Sequence, residues 1–193
     1  MAWKASAAAL AWAAAAALLT GCAQTPAPAD TAPPSAAANV PRTGEADAGL
    51  MQAAQAEQAA VMATLERLVN IETGTGNAEG LATMAQVLER ELRAVGATVT
   101  RHKPEGNVVG DNLVARIPGR AATRLLLIAH MDTVYVKGTL ARRPFHVAGG
   151  RAYGPGIADD KGGIAVILHA LRLLKARGVT DHGPITVLFN SDE

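Results

Sequence analysis

From about Leu50 the chain places apolar residues at helical spacing. Val61, Leu65, Leu68 and Val69 fall at i, i+4, i+7 and i+8, which is one face of a helix. The run Ile71-Glu72-Thr73-Gly74-Thr75-Gly76-Asn77 interrupts it with small polar residues. A second amphipathic helix is predicted from Leu81, Met84, Ala85, Leu88, Leu92 and Val95, with Gly96 where a left-handed cap belongs.

The period then shortens. Leu113, Ala115 and Ile117 alternate as a strand does, and Pro118-Gly119 turns the chain. Leu125 to Ala129 is a continuous apolar run, which predicts a central strand buried on both faces. Phe145 to Tyr153 reads as a hairpin turning at Gly149-Gly150. Ile164, Ile167, Leu168, Leu171 and Leu174 make a strongly apolar helix ending near Gly178. Ile185 to Phe189 is a further apolar strand, expected at an exposed edge of the sheet. This order predicts an α/β three-layer domain with a mixed sheet.

The first 49 residues carry no such pattern. Lys4 precedes an apolar, Ala-rich run from Ala5 to Leu19. That run is shorter than the ~20 residues a spanning helix needs, so an export signal is the better reading. Leu19-Thr20-Gly21-Cys22 resembles the bacterial lipobox, which implies lipidation at Cys22 and a signal peptide over 1–22. An ordinary cleaved signal with an incidental Cys is the alternative. Acyl chains on Cys22 would tether the chain to a membrane. The resemblance places it in the bacterial periplasm or at the outer membrane, and Ala23 after the Cys favours the outer membrane. Residues 23–49 are rich in Ala, Pro and Thr and read as a disordered tether, leaving 50–193 as the folded part.

Composition narrows the chemistry. With 18 Lys+Arg against 17 Asp+Glu, the formal charge of +1 gives no field to attract nucleic acid. Aromatics at 3% are too few for a base-stacking platform, so no nucleic-acid partner is expected. Cys22 is the only cysteine, which excludes a thiolate zinc site and leaves His, Asp and Glu for any metal.

Three polar clusters follow or precede the apolar elements. His130-Met131-Asp132 comes directly after an apolar strand, and residues at i and i+2 of an extended chain face one way. His130 could ligate a metal while Asp132 holds its other ring nitrogen. A structural strand-end histidine is the alternative. Gly154-Pro155-Gly156-Ile157-Ala158-Asp159-Asp160-Lys161-Gly162-Gly163 puts two acids in a glycine-bounded loop, which suits a metal site or a helix N-cap. Asn190-Ser191-Asp192-Glu193 follows the last apolar strand. Sites of open α/β sheets lie beyond the carboxyl ends of strands.

Together with Val69-Asn70-Ile71-Glu72-Thr73-Gly74-Thr75-Gly76, these clusters closely resemble the zinc aminoacylase/carboxypeptidase metallopeptidase family, nearest its folate-hydrolysing glutamate carboxypeptidase branch. The matching stretches span nearly all of residues 60 to 193. The resemblance implies that His130 ligates one zinc, Asp132 orients His130, Asp159 bridges two zinc ions and Glu193 is the general base. It also implies a cis Asp159–Asp160 bond and an amide-hydrolysing reaction on a peptide or N-acyl amino-acid substrate. In the family a second Glu follows the base, and another acid and a distant His complete the pair of metals. None of these is in this sequence, nor is the small dimerising domain. The chain is therefore expected to be an N-terminal fragment, inactive alone, with a homodimer possible only for a full-length protein.

The leading expectation is a metallocarboxypeptidase cleaving the amide bond to a C-terminal amino acid, in particular glutamate. The rivals are an aminotripeptidase or an N-acyl amino-acid deacylase of the same family, and a non-catalytic truncated surface lipoprotein. His102, in a polar loop, and His146, His169 and His182 match no family ligand. Lys161 is expected to belong to the helix start.

Overall fold

A computed structural model describes residues 47–193. Asp47 opens the first helix, α1 (Ala48–Ala56), by accepting a hydrogen bond at Oδ1 from Leu50 N, 2.9 Å. The folded part thus begins inside the end of the expected 23–49 tether, because a side-chain cap satisfies an otherwise orphaned N–H. The expected signal peptide over 1–22, Cys22 and the rest of the expected tether lie outside the described residues.

Next come α2 (Gln58–Val69) and α3 (Ala78–Ala94), followed by Gly96 at φ 94°, the left-handed cap anticipated there. Then follow β1 (Thr98–His102), β2 (Asn112–Ile117), β3 (Leu125–His130) and the single turn α4 (Thr139–Arg142). The hairpin β4 (His146–Ala148) and β5 (Arg151–Tyr153) turns at Gly149 and Gly150, both at positive φ as expected. An irregular turn, Ile157–Lys161, leads into α5 (Gly162–Ala176), and β6 (Ile185–Asn190) ends the order. Sequence periodicity did not single out α1, α4 or β1. His102 closes β1 rather than sitting in a loop.

Among the described residues the main sheet has four strands in the order β1-β2-β6-β3. It is mixed, as expected: β1–β2 and β2–β6 are antiparallel, and β6–β3 is parallel. The positions of β3 and β6, however, are the reverse of expectation. β6 is inserted between β2 and β3, whereas β3 forms the edge, with Leu126 and Ile128 57% and 58% exposed. An apolar run reports what a strand's faces could bury, but not which strands flank it.

One face of the sheet carries the core. Val99, Leu113, Ala115, Ala129, Ile185, Val187 and Phe189 pack there with Leu68, Leu88, Leu92, Ile164 and Leu168 from α2, α3 and α5. Leu126 and Ile128 on the opposite face are exposed, and the α/β mixed-sheet arrangement is the expected fold class. No described helix is long and apolar enough to cross a membrane.

Candidate metal centre

The carboxyl ends of β3 and β6 lie side by side. His130 is the register partner of Asn190, and Met131 N donates to Asn190 O at 2.8 Å. The segments His130-Met131-Asp132 and Ser191-Asp192-Glu193 therefore leave the sheet together. Met131 is fully buried and anchors the first of them, while Ser191 N donates to Asn112 Oδ1 at 2.9 Å and anchors the second.

His130 uses both ring nitrogens. Nδ1 lies 3.2 Å from Asp132 Oδ1, and Nε2 lies 2.9 Å from Asp159 Oδ1 and 3.9 Å from Glu193 Oε2. Burial would lower the imidazole pKa, but the hydrogen bonds to Asp159 and Asp132, with their negative charges, raise it above the usual histidine value. Asp132 is buried and accepts three hydrogen bonds: from His130, from Glu193 N at 3.1 Å and from Thr75 Oγ1 at 2.7 Å.

Asp159 comes from the turn Ile157–Lys161, where the Asp159–Asp160 peptide bond is cis. Its carboxylate is exposed and converges with His130 and Glu193, one donor atom from each lying within 4.8 Å of the others. Asp160 points elsewhere. Its Oδ1 accepts from Gly163 N at 3.2 Å, which is the helix-capping alternative. A Cβ on Gly163 would lie 2.1 Å from that oxygen, so the cap requires glycine there.

An imidazole nitrogen and two carboxylate oxygens are a hard-to-borderline donor set that fits Zn²⁺. With Nδ1 turned toward Asp132, Nε2 is the nitrogen that faces the cluster, as an oriented ligand requires. Glu193 stands close enough to act either as a donor or as a base beside the ion.

Residues 126–193, which include His130, Asp132, Asp159 and Glu193, match the family described as peptidase family M20/M25/M40. Over 144 residues, 75% of this chain, the sequence is 65% identical to Carboxypeptidase G2 of Pseudomonas sp. (strain RS-16), of which it covers 35%. The chain belongs to peptidase family M20/M25/M40. It is also 30% identical to a succinyl-diaminopimelate desuccinylase of Corynebacterium glutamicum, over 66% of this chain and 32% of the relative. A tripeptidase from Staphylococcus aureus superposes with a TM-score of 0.57 at 28% identity, over 67% of this chain and 35% of that one. The chain thus spans about a third of the length of the M20 relatives it matches.

Lys161 stands at the start of α5 as expected, but its partner, like that of Glu72, was not read from the sequence. The Lys161 side chain is buried and donates from Nζ to Ile71 O at 2.7 Å. Burial lowers its pKa to about 8 against the raising effect of Glu72. A signal was present: a cation at a helix N-terminus opposes the macrodipole, so Lys161 needed a partner elsewhere. Glu72 accepts from Gly138 N at 2.9 Å and Leu140 N at 2.8 Å, capping α4. These backbone bonds hold its carboxyl below the usual range.

The remaining histidines join other structures. His146 stacks on Tyr153 with ring centroids 4.9 Å apart, and His182 Nδ1 contacts Gly183 O. His102 Nε2 pairs with Thr100 Oγ1. The buried His169 lies between Glu57 Oε2 and Thr64 Oγ1, each 2.9 Å away, and links α5 to α2.

Proposed function

We propose that this chain carries part of the active site of a zinc metallocarboxypeptidase that hydrolyses the amide bond to a C-terminal amino acid, glutamate in the first instance. The convergence of His130 Nε2, Asp159 and Glu193 at the ends of β3, β6 and the turn before α5 carries the reading. The 65% identity to Carboxypeptidase G2, against 30% to a desuccinylase, favours carboxypeptidase over deacylase specificity.

In this reading His130 and Asp159 hold zinc. When bound, zinc would acidify a water and polarise the scissile carbonyl. Asp132 holds His130 Nδ1–H, which fixes the tautomer and turns Nε2 toward Asp159. Glu193 is assigned as the base: its carboxylate takes the proton of the attacking water and returns it to the leaving nitrogen. Two zinc ions need more donors than these residues supply, and the proposal places the others outside this chain. It follows that the 193-residue chain binds zinc weakly and turns over nothing by itself.

The experiment is a zinc titration of the chain by competition with a chromophoric chelator, beside an assay for glutamate release from an N-acyl glutamate. The expected result is one zinc bound, lost in His130→Ala, with no release of glutamate. Zinc binding indifferent to His130 would overturn the assignment. Export and attachment through lipidated Cys22 form part of the same proposal. In a bacterial host, the product should move from the membrane to the soluble fraction on Cys22→Ala.

A further inference from the structure

Asp132 is 3% exposed, and a buried carboxylate is costly unless its oxygens are satisfied. Its Oδ1 accepts from His130 Nδ1 and Glu193 N, at 3.2 and 3.1 Å. Its Oδ2 accepts from Thr75 Oγ1 at 2.7 Å, and no other donor to that oxygen is present among the described residues. The terminal torsion of an aspartate is broad and roughly two-fold, so backbone packing alone does not settle where the carboxylate plane lies. The Thr75 hydroxyl does, because it fixes Oδ2 and thereby aims Oδ1 at the imidazole and at the backbone of Glu193.

The hydroxyl is itself held by a rigid rung. Thr75 N donates to Thr133 O at 3.0 Å, and Thr133 N donates to Thr73 O at 2.8 Å, so residues 73–75 pair with the chain just past Asp132. Gly74 allows this approach, since a Cβ there would lie 2.2 Å from Tyr135 O. The hydroxyl has one proton to give. Its other acceptor, Thr133 O, is farther at 3.4 Å, so the proton goes to Asp132. The same strap is tied to the turn after Asp159 through Lys161 and Ile71 O.

We infer that Thr75 is a positioning residue for the metal centre: it orients Asp132, which orients both the His130 ring and the start of Glu193. The inference rests on the reading of His130 Nε2 as a zinc ligand. Outer partners of a ligating histidine are worth about ten- to hundredfold in metal affinity, and Thr75 stands one bond farther out, so about tenfold is expected.

The test is zinc affinity of the full 193-residue chain by chelator competition, for wild type, Thr75→Val, Thr75→Ser and His130→Ala, with thermal unfolding measured without zinc. Val keeps the shape and removes the hydroxyl; Ser keeps the hydroxyl. Thr75→Val should weaken zinc binding about tenfold while Thr75→Ser stays within about twofold of wild type. Their unfolding midpoints should not follow that split. Equal affinity for Val and wild type, or equal weakening by Val and Ser, would overturn the positioning role. If Thr75→Val does not fold, Thr75→Ala is read in its place by the same criteria. His130→Ala separates the two levels: unchanged zinc binding there refutes the ligand assignment itself, whereas its loss beside an unaffected Thr75→Val refutes only the role of Thr75.

Discussion

His130 and Asn190 are register partners on the last rung of the parallel β3–β6 pair, and this rung brings the two acidic clusters together. The rung below it pairs Ala129 with Phe189, both buried. The position of the site therefore depends on core packing one residue behind it.

Phe189→Ala tests that dependence. Phe189 is fully buried, and removing its ring leaves a cavity worth about 3–5 kcal/mol. Chemical denaturation should show a loss of that size. If the folded variant retains wild-type zinc affinity, the rung does not need this packing.

Gly74→Ala should destabilise without touching the core. A Cβ at 2.2 Å from Tyr135 O forces the strap away from residues 133–135, a strain of about 1–3 kcal/mol. Denaturation midpoints measure the cost. The zinc affinity of Gly74→Ala should fall with that of Thr75→Val, because both displace the same hydroxyl.

Thr73→Val should behave in the opposite way. Thr73 Oγ1 is buried and has no hydrogen-bond partner among the described residues, so its hydroxyl contributes burial cost and no bond there. Replacing it with an isosteric methyl should leave stability unchanged or raise it by up to about 1 kcal/mol. A clear loss in urea denaturation would show that the hydroxyl has a partner in solution.

Acid should release the loop around α4. The carboxyl pKa of Glu72 is depressed in the folded chain, chiefly by the N–H groups of Gly138 and Leu140. A depressed carboxylate contributes stability that is fully present above its ordinary value of 4.5 and is lost as pH falls through the lower folded value. Amide exchange of Gly138 and Leu140, corrected for its intrinsic pH dependence, should therefore speed up as the solution is acidified below that value. In Glu72→Gln this acid step should be absent.

Much of the chemistry was legible before any coordinates. Local residue types placed helices over α2, α3 and α5 and the hairpin at Gly149-Gly150, because periodicity and glycine are local signals. The clusters at His130, Asp159 and Glu193 could be named as candidates because each follows or precedes a recognisable element. Asp160 shows the limit of that approach. Its neighbour Asp159 joins the cluster while Asp160 caps α5, and only the direction of each side chain separates the two.

The sequence by itself determined which residue types are available: one histidine and five carboxylates in three clusters at element ends, no thiolate site, and glycines where the backbone must pass closely. Tertiary structure decided the neighbours. It put β6 beside β3 so that His130 and Glu193 meet, left β3 at the edge, and carried Thr75 to Asp132 across 57 residues of chain. The physical reason is that strand pairing and side-chain direction depend on contacts between distant segments, and a local pattern holds no record of which distant segment will supply the partner.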